Sequence, residues 1–374
     1  MKLLWTIANW KWTGPVAPSL DLARAVADAG HEVLVEVGRP PSHERCEAGV
    51  LRSDRGLAEA GVGARLHKHA FLLRDLPDVR RLASWIHRER PDAVVTTLAN
   101  DHRLALAAAG DVPVVRLLFA DGSKAPAPRE LRSLRRTERI FVFGQSPQKQ
   151  LETLGVARER IAKIDPPLDV RRLAGQVDDP AAFRSELGVG PDTCLFGIVA
   201  RLQRHRRYEM LWDAIANLKA REVPFHVAVL GRGTYQEEVG RQPVERLGLG
   251  DVVTFAGYRR GEAYATAVAA FDAQVFLVPG SDPTCRALRE GLTLGAAGLT
   301  TRRGLLPDLV EDGRSGWLVD ETEEAFADAM TRMATDLERT RRMGAEAARL
   351  AAARFDAGRV AGEVLHALGE VVRG

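Results

Sequence analysis

Short apolar, often β-branched runs alternate along this chain with longer amphipathic stretches. "KLLWTIA", from Lys2, predicts a strand, "APSLDLARAVADAG" a helix capped at Ser19 and stopped at Gly30, and "HEVLVEVG" the next strand. The rhythm continues through "VRRLASWIHRERP", with Val79, Leu82 and Ile86 on one helix face, into the strands "DAVVTTLA", "VPVVRLLFA" and "RIFVFGQ". Apolar strands separated by helices predict a parallel sheet covered on both faces.

The pattern lapses over "IDPPLDVRRLAGQVDDPAAFRSELGVGPD", which is rich in Pro, Gly and Asp, and then begins again. "TCLFGIVARL" predicts a strand, "YEMLWDAIANLKARE" a helix, and "FHVAVLGRG", "VVTFAGY", "AQVFLVP" and "AGLTTR" further strands. The Ala-rich end, from "AFADAM" onward, is helix-forming throughout. The expectation is an α/β protein of two Rossmann-like, doubly wound domains, residues 1–170 and 171–355. Residues 356–374 form a C-terminal helix that packs back toward the first domain. A chain of 374 residues suits two domains of about 150–200 residues each.

Composition narrows the class: 45% hydrophobic and 28% charged residues suit a soluble globular protein. The sequence has no apolar run of the roughly 20 residues that a membrane span needs. "MKLLWTIANWKW" is too polar and short for a signal peptide, so a cytoplasmic protein is expected. Cys46, Cys194 and Cys285 lack CxxC spacing and read as free thiols. Net charge is only +3, yet residues 1–170 carry 26 Lys/Arg against 21 Asp/Glu, and the remainder 27 against 29. Much of the excess lies in "RELRSLRRTER", Arg129 to Arg139, which either faces an anionic lipid or acceptor or is a solvated helix face.

Candidate chemistry concentrates in the second half. In "GIVARLQRHRRYEMLWDAI", Arg201, Arg204, His205, Arg206 and Arg207 lie between a strand end and a helix start, where open α/β sheets bind ligands. Such crowding points to a phosphate or diphosphate, since guanidinium forks and helix N-termini both bind it; a charged, solvated loop is the alternative. Gly231 and Gly233 in "VLGRGTY" either admit a ligand close to the backbone or make a tight turn. "TFAGY" repeats that logic at Gly257, with Tyr258 on a rim suited to a base ring. In "VPGSDPTCRALREGLTLGAAG", Asp282 before Pro283 makes a good helix start, so capping alone explains it. Glu290 precedes an apolar stretch expected to be buried, and a buried carboxylate needs hydroxyl or cationic partners, which ribose hydroxyls would supply. The first strand–helix turn, "ANWKWTGPVAPS", has one glycine where a dinucleotide fingerprint has three, which argues against a nicotinamide-dependent dehydrogenase. Its Trp10 and Trp12 either stack on an acceptor sugar or pack against loops.

The order Arg201, Arg206, Gly231, Gly233, Asp282, Glu290 and then "GLLPDLVEDGRSGWLV" resembles the GT-B retaining glycosyltransferases of family 4, closely from Gly197 to Val319 and more loosely in the first half. The resemblance implies two domains facing a cleft and a retaining transfer from a nucleotide sugar, UDP- or GDP-linked, to a glycan or lipid-linked acceptor of cell-surface polysaccharide, lipopolysaccharide or glycolipid synthesis. It implies that Asp282 contacts the transferred sugar, Glu290 the ribose, and Arg201 with Arg206 the diphosphate. Backbone amides of Thr284, Cys285, Arg286 and Ala287 then face the sugar or its phosphate, and Gly14 lets the first domain close on the phosphates. On the acceptor side, Asp101, His102 and Asp121 are the polar candidates, with a helix-start or surface role as the alternative for His102. The chain departs from the family in carrying Asp282 for Glu, Arg206 for Lys, and Pro283-Thr284 for Gly-Phe. No DxD motif occurs, so no metal is expected, nor any cofactor beyond the donor, nor a nucleic acid partner. Peripheral contact with an anionic membrane at its inner face is one reading of the basic first half. A degenerate member that binds sugar nucleotide or glycan without transfer is the competing function.

Overall fold

Every strand pairing in the computed structural model is parallel, and the strands form two separate sheets. The structure describes residues 1–41, 44–69, 75–278 and 283–373. Contacts divide the chain into two units, the first built chiefly of Met1–Leu168 with Phe355–Gly374, the second of Asp169–Ser281 with Cys285–Arg354.

The first unit's strands are β1 (Lys2–Ile7), β2 (Glu32–Val37), β3 (Ala58–Glu59), β4 (Ala93–Thr96), β5 (Val114–Leu118), β6 (Arg139–Val142) and β7 (Ile161–Lys163), in the order β3-β2-β1-β4-β5-β6-β7. The second unit's are β8 (Cys194–Val199), β9 (Phe225–Leu230), β10 (Val253–Gly257), β11 (Ala273–Phe276), β12 (Ala297–Thr301) and β13 (Gly316–Val319), in the order β10-β9-β8-β11-β12-β13. Both are doubly wound: strand order reverses between β1 and β4, and again between β8 and β11. Crevices for ligands open outside the carboxyl ends of strands at such reversals. Consecutive apolar residues make this burial on two faces favourable. Leu3, Leu4, Trp5 and Ile7 of β1 are all inaccessible to solvent, and so are Cys194, Leu195 and Phe196 of β8.

The helix expected after β1 spans Val16–Asp28, and Gly30 ends it in the left-handed region at φ +88°. Ser19 is not its cap. It lies inside the first turns, fully buried, where its hydroxyl accepts from Trp5 Nε1 at 2.8 Å and meets Thr97 Oγ1 at 2.8 Å. The helix starts earlier than expected because Pro18 falls within the first turn, where its missing N–H breaks no helical bond. The C-terminal helix Ala357–Arg373 buries Val360, Ala361, Val364 and Leu368 in the same core as Leu20 and Val26, against Val16–Asp28. In the second unit the helices Tyr208–Lys219 and Glu323–Thr335 pack together, with Trp212, Phe326, Met330 and Met333 in one core. No helix among the described residues is long and apolar enough to cross a membrane.

Ser19→Ala leaves the buried Trp5 indole N–H without its acceptor. Stability is expected to fall by about 1–3 kcal/mol, read as a lower urea midpoint with an unchanged slope; an unmoved midpoint would show that the bond contributes nothing.

Candidate functional site

The loops at the carboxyl edge of the second sheet are joined backbone to backbone. Ala200 N–H donates to Leu230 O at 3.1 Å, and Gly231 N–H to Gly257 O at 2.8 Å. A Cβ on Gly231 would stand 2.0 Å from Ala200 O, and one on Gly233 2.3 Å from Leu202 O. The close approach that these glycines permit is therefore to the neighbouring loop's carbonyls. Gly257, at φ +75°, needs its left-handed conformation and has open space where a side chain would be.

The basic loop is ordered by its own contacts. Arg206 closes a single 3₁₀ turn, Arg204–Arg206; it is 9% exposed and donates from Nη1 to Val278 O, just past β11, at 3.1 Å. Arg207, in the left-handed region at φ +58°, turns the chain into the helix Tyr208–Lys219. Crowding of like charges is answered by the protein itself at two positions. Arg204 forks onto Glu238 with two bonds of 2.7 Å and lies over the Tyr235 ring, while Arg207 reaches Glu321 at 3.1 Å. Arg201 and His205 are exposed and pair with no carboxylate among the described residues. Tyr208 Oη bonds the Arg201 carbonyl at 3.3 Å, so the Arg201 backbone is held while its side chain projects.

Asp282 lies outside the described residues. The expected helix start at Pro283 is corrected: the helix spans Arg286–Thr293, and Pro283 and Thr284 form the turn before it. Cys285 stands in the left-handed region at φ +49°, which keeps preceding residues out of the helix. Thr284 and Cys285 are buried, and the backbone of Thr284 to Ala287 enters the helix N-terminus, where N–H groups lack helical acceptors. The Ala287 carbonyl accepts from Gln274 Nε2 on β11 at 3.1 Å, tying this turn to the sheet.

Glu290 is buried, 5% exposed, and both of its oxygens are engaged. Arg286, one turn earlier, donates Nε to Oε1 at 2.7 Å, and Tyr264 donates its hydroxyl to Oε2 at 2.5 Å. The polar partners that a buried carboxylate requires come from the protein rather than from ribose alone. Tyr264, on the helix Gly261–Ala269, is a site residue that sequence reasoning missed; burial, then the Glu290 charge, holds its phenol well above the usual range. Near the end of β10, Tyr258 is 39% exposed, with the guanidiniums of Arg232 and Arg260 4.4 and 4.9 Å from its ring centroid. Arg260 Nε also donates to its hydroxyl at 3.0 Å, so the ring is an exposed aromatic in a cationic setting.

In the first unit, Gly14 sits in the turn between β1 and the helix Val16–Asp28. Trp12 is exposed, and Glu47 fixes its backbone N–H at 2.7 Å. Asp121 caps its own turn through Ser123 N and Oγ. His102 lies in the first turn of the helix Ala99–Ala108, as its helix-start alternative has it, with its side chain in the core. It is 1% exposed, with Nδ1 2.9 Å from Thr96 Oγ1 and Nε2 2.8 Å from Thr137 Oγ1. Burial, reinforced by Arg116, lowers its pKa to about 3. A neutral ring has one donor and one acceptor nitrogen, so one threonine must turn its proton to the ring and forgo its own carbonyl bond to Val115 or Ser133. Asp101 is wholly buried. It accepts from Thr97 N, Leu98 N and Thr6 Oγ1, and burial raises its pKa to about 6 against the pull of Arg116.

Two doubly wound parallel units, the second with a basic loop and a buried acid at its strand-order reversal, define the GT-B class of architecture. Within that class the chain belongs to the group 1 glycosyltransferases. The family described as "Glycosyl transferases group 1" matches residues 181–350, and "Glycosyltransferase Family 4" matches residues 19–172. The D-inositol 3-phosphate glycosyltransferase of Corynebacterium jeikeium is 30% identical over 334 residues, 83% of this chain and 73% of that protein. WcaL of Salmonella typhimurium, named for colanic acid biosynthesis, is 33% identical over 132 residues; the match covers 33% of this chain and only 32% of WcaL. Anabaena HepE, crystallised with UDP, superposes with a TM-score of 0.80 at 20% identity over 99% of this chain and 100% of its own.

Tyr264→Phe removes a charge-assisted bond to a buried carboxylate, and is expected to cost about 1.5–3 kcal/mol in chemical denaturation. His102 gives a pH signature. Its folded pKa, about 3, lies below the ordinary 6.5, so its stabilising contribution is complete above about 6.5 and is lost as pH falls toward 3. Asp101 has the opposite sign: its folded pKa of about 6 exceeds the ordinary 3.8, so the cost of its charge is absent below 3.8 and complete above 6. The stability difference between wild type and His102→Gln should therefore shrink as pH falls from 7 to 4, as read from urea midpoints at each pH.

Proposed function

We propose that this protein is a retaining, metal-independent glycosyltransferase that moves a sugar from a UDP- or GDP-sugar to a glycan or lipid-linked acceptor of cell-surface polysaccharide, lipopolysaccharide or glycolipid synthesis. The observation that carries the reading is the placement of Arg201 and Arg206 at the β8/β11 reversal, with Arg206 oriented by its bond to Val278 O. Breaking an anomeric C–O bond to a diphosphate builds negative charge on the leaving group. Donors already fixed in place stabilise that charge without reorganising. Arg201, Arg206 and the amides from Thr284 to Ala287 are this chain's donors for it; Glu290 then holds ribose hydroxyls, and Asp282 the transferred sugar. The crystallised complexes of HepE with UDP and with UDP-glucose favour a uridine donor. The inositol-phosphate and colanic acid relatives favour a small polar or glycan acceptor. Exposed Arg129 and Arg132 on the helix Pro128–Leu134, with exposed Arg136 in the turn after it, suit peripheral contact with an anionic inner membrane face.

A second reading, binding of a sugar nucleotide without transfer, is favoured by one observation. Tyr264 and Arg286 already occupy both oxygens of Glu290. A thermal-shift series of UDP-, GDP-, ADP-, TDP- and CMP-sugars separates the two, since a ligand of the folded state raises its stability by RT ln(1 + [L]/Kd). Stabilisation by a UDP- or GDP-sugar that disappears in Glu290→Ala is expected. Transfer should then produce an anomer of unchanged configuration, insensitive to EDTA, and Arg206→Ala should lower kcat by about 10²–10³ with the fold intact. Donor binding with no transfer or donor hydrolysis would establish the second reading; an inverted product would overturn retention.

A further inference from the structure

A cavity of about 260 Å³ lies between the connection that follows β3 and the helix Leu76–Glu89. Arg80, Ser84 and Arg88 line it at successive turns of one helix face, with Arg81 and Trp85 on the adjoining row. Gly61 faces it from the connection, in the left-handed region at φ +66°, with open space where a Cβ would stand. Trp85 is 3% exposed and spends its indole N–H on Ala60 O at 2.8 Å, so it forms a rigid floor. The charges on the rim are incompletely matched. Arg80 has no carboxylate partner among the described residues. Arg81 reaches Asp78 only at 3.4 Å, and Asp78 already accepts from Arg65 N and Leu66 N. Arg88 meets Glu89 at 2.9 Å, but Glu89 also pairs with Lys2 at 2.9 Å.

We propose that this cavity binds a phosphate group, with Arg80, Arg81 and Arg88 as its guanidinium donors and Ser84 as a hydroxyl donor. Planar guanidinium forks match tetrahedral oxyanions, and three of them on one small concavity suit a ligand of charge near −2 better than a single carboxylate. The volume falls just below the range of about 300–1,000 Å³ for drug-sized ligands, which suits a phosphorylated headgroup rather than a nucleotide. The inference is independent of the donor-site reading, because none of these residues belongs to that site.

Two sources of phosphate are separated by two probes used with the full chain: glycerol 3-phosphate in calorimetry, and phosphatidylglycerol vesicles in co-sedimentation. Arg80→Ala/Arg88→Ala removes two exposed charges, and Lys149→Ala/Lys163→Ala removes the same charge elsewhere on the unit; unchanged melting verifies that both fold. Binding of glycerol 3-phosphate weakened at least ten-fold by the first variant and less than two-fold by the second would support a soluble phosphomonoester. Binding only to vesicles, with the same selectivity, would support a lipid headgroup. Equal losses in the two variants, or no binding to either probe, would overturn the proposal.

Discussion

Strands β8 and β11 are neighbours in the sheet although they are not neighbours in sequence, and the chain leaves them toward opposite faces. That divergence exposes the carboxyl end of the sheet, where backbone groups and helix starts can meet a ligand. The crevice exists only if its loops keep their positions, and the hydrogen bond from Arg206 to Val278 O links the two connections that diverge. The glycines of the next loop complete the frame. Gly231 and Gly233 lie so close to Ala200 O and Leu202 O that any side chain would displace the basic loop. A feature that sequence alone presents as room for a ligand is, one step earlier in the causal chain, room for the loop that carries the arginines.

Each unit buries a carboxylate near its strand-order reversal, and the two solve the desolvation problem differently. Glu290 has a cation, Arg286, at hydrogen-bonding distance and a phenol on its other oxygen, so its charge is compensated locally. Asp101 relies on neutral donors, with Arg116 Nη1 3.9 Å away, and its affinity for a proton rises accordingly. Arg116 in turn also faces Glu130 at 3.7 Å and depresses His102. This cluster joins β4, β5 and the helices beside them by polar contacts wholly inside the unit. Through Asp101 it fixes how the connection leaving β4 is seated.

Legibility from sequence followed the range of the interactions. Runs such as Lys2–Ile7, Cys194–Val199 and Phe225–Leu230 announce strands because five or six consecutive residues must satisfy burial on two faces. Ala58–Glu59 and Ile161–Lys163 are too short to show a period, and Gly316–Val319 passes for part of a longer motif. Ser19 has the chemistry of a cap, and only the distant Trp5 and Thr97 reveal that its hydroxyl is used inside the core. The burial of the His102 ring is hidden for the same reason, since its partner Thr137 lies 35 positions away. The need of Glu290 for polar partners was visible in its apolar surroundings, but Tyr264, 26 positions earlier, was not, because nothing local marks a tyrosine in "EAYATAV" as facing a carboxylate.

The presence of arginine rather than lysine at position 206 follows from the geometry of the turn. A lysine ammonium rotates freely about its last bond, and a single carbonyl contact would not decide where its remaining protons point. A guanidinium is planar. Its bond from Nη1 to Val278 O restricts the directions that the remaining N–H groups can take before any anion arrives. At 9% exposure the group also loses much of the water that would weaken its field. Orientation and partial desolvation are the two properties that charge stabilisation at a leaving group requires. Here both come from a 3₁₀ turn of three residues braced against the end of β11.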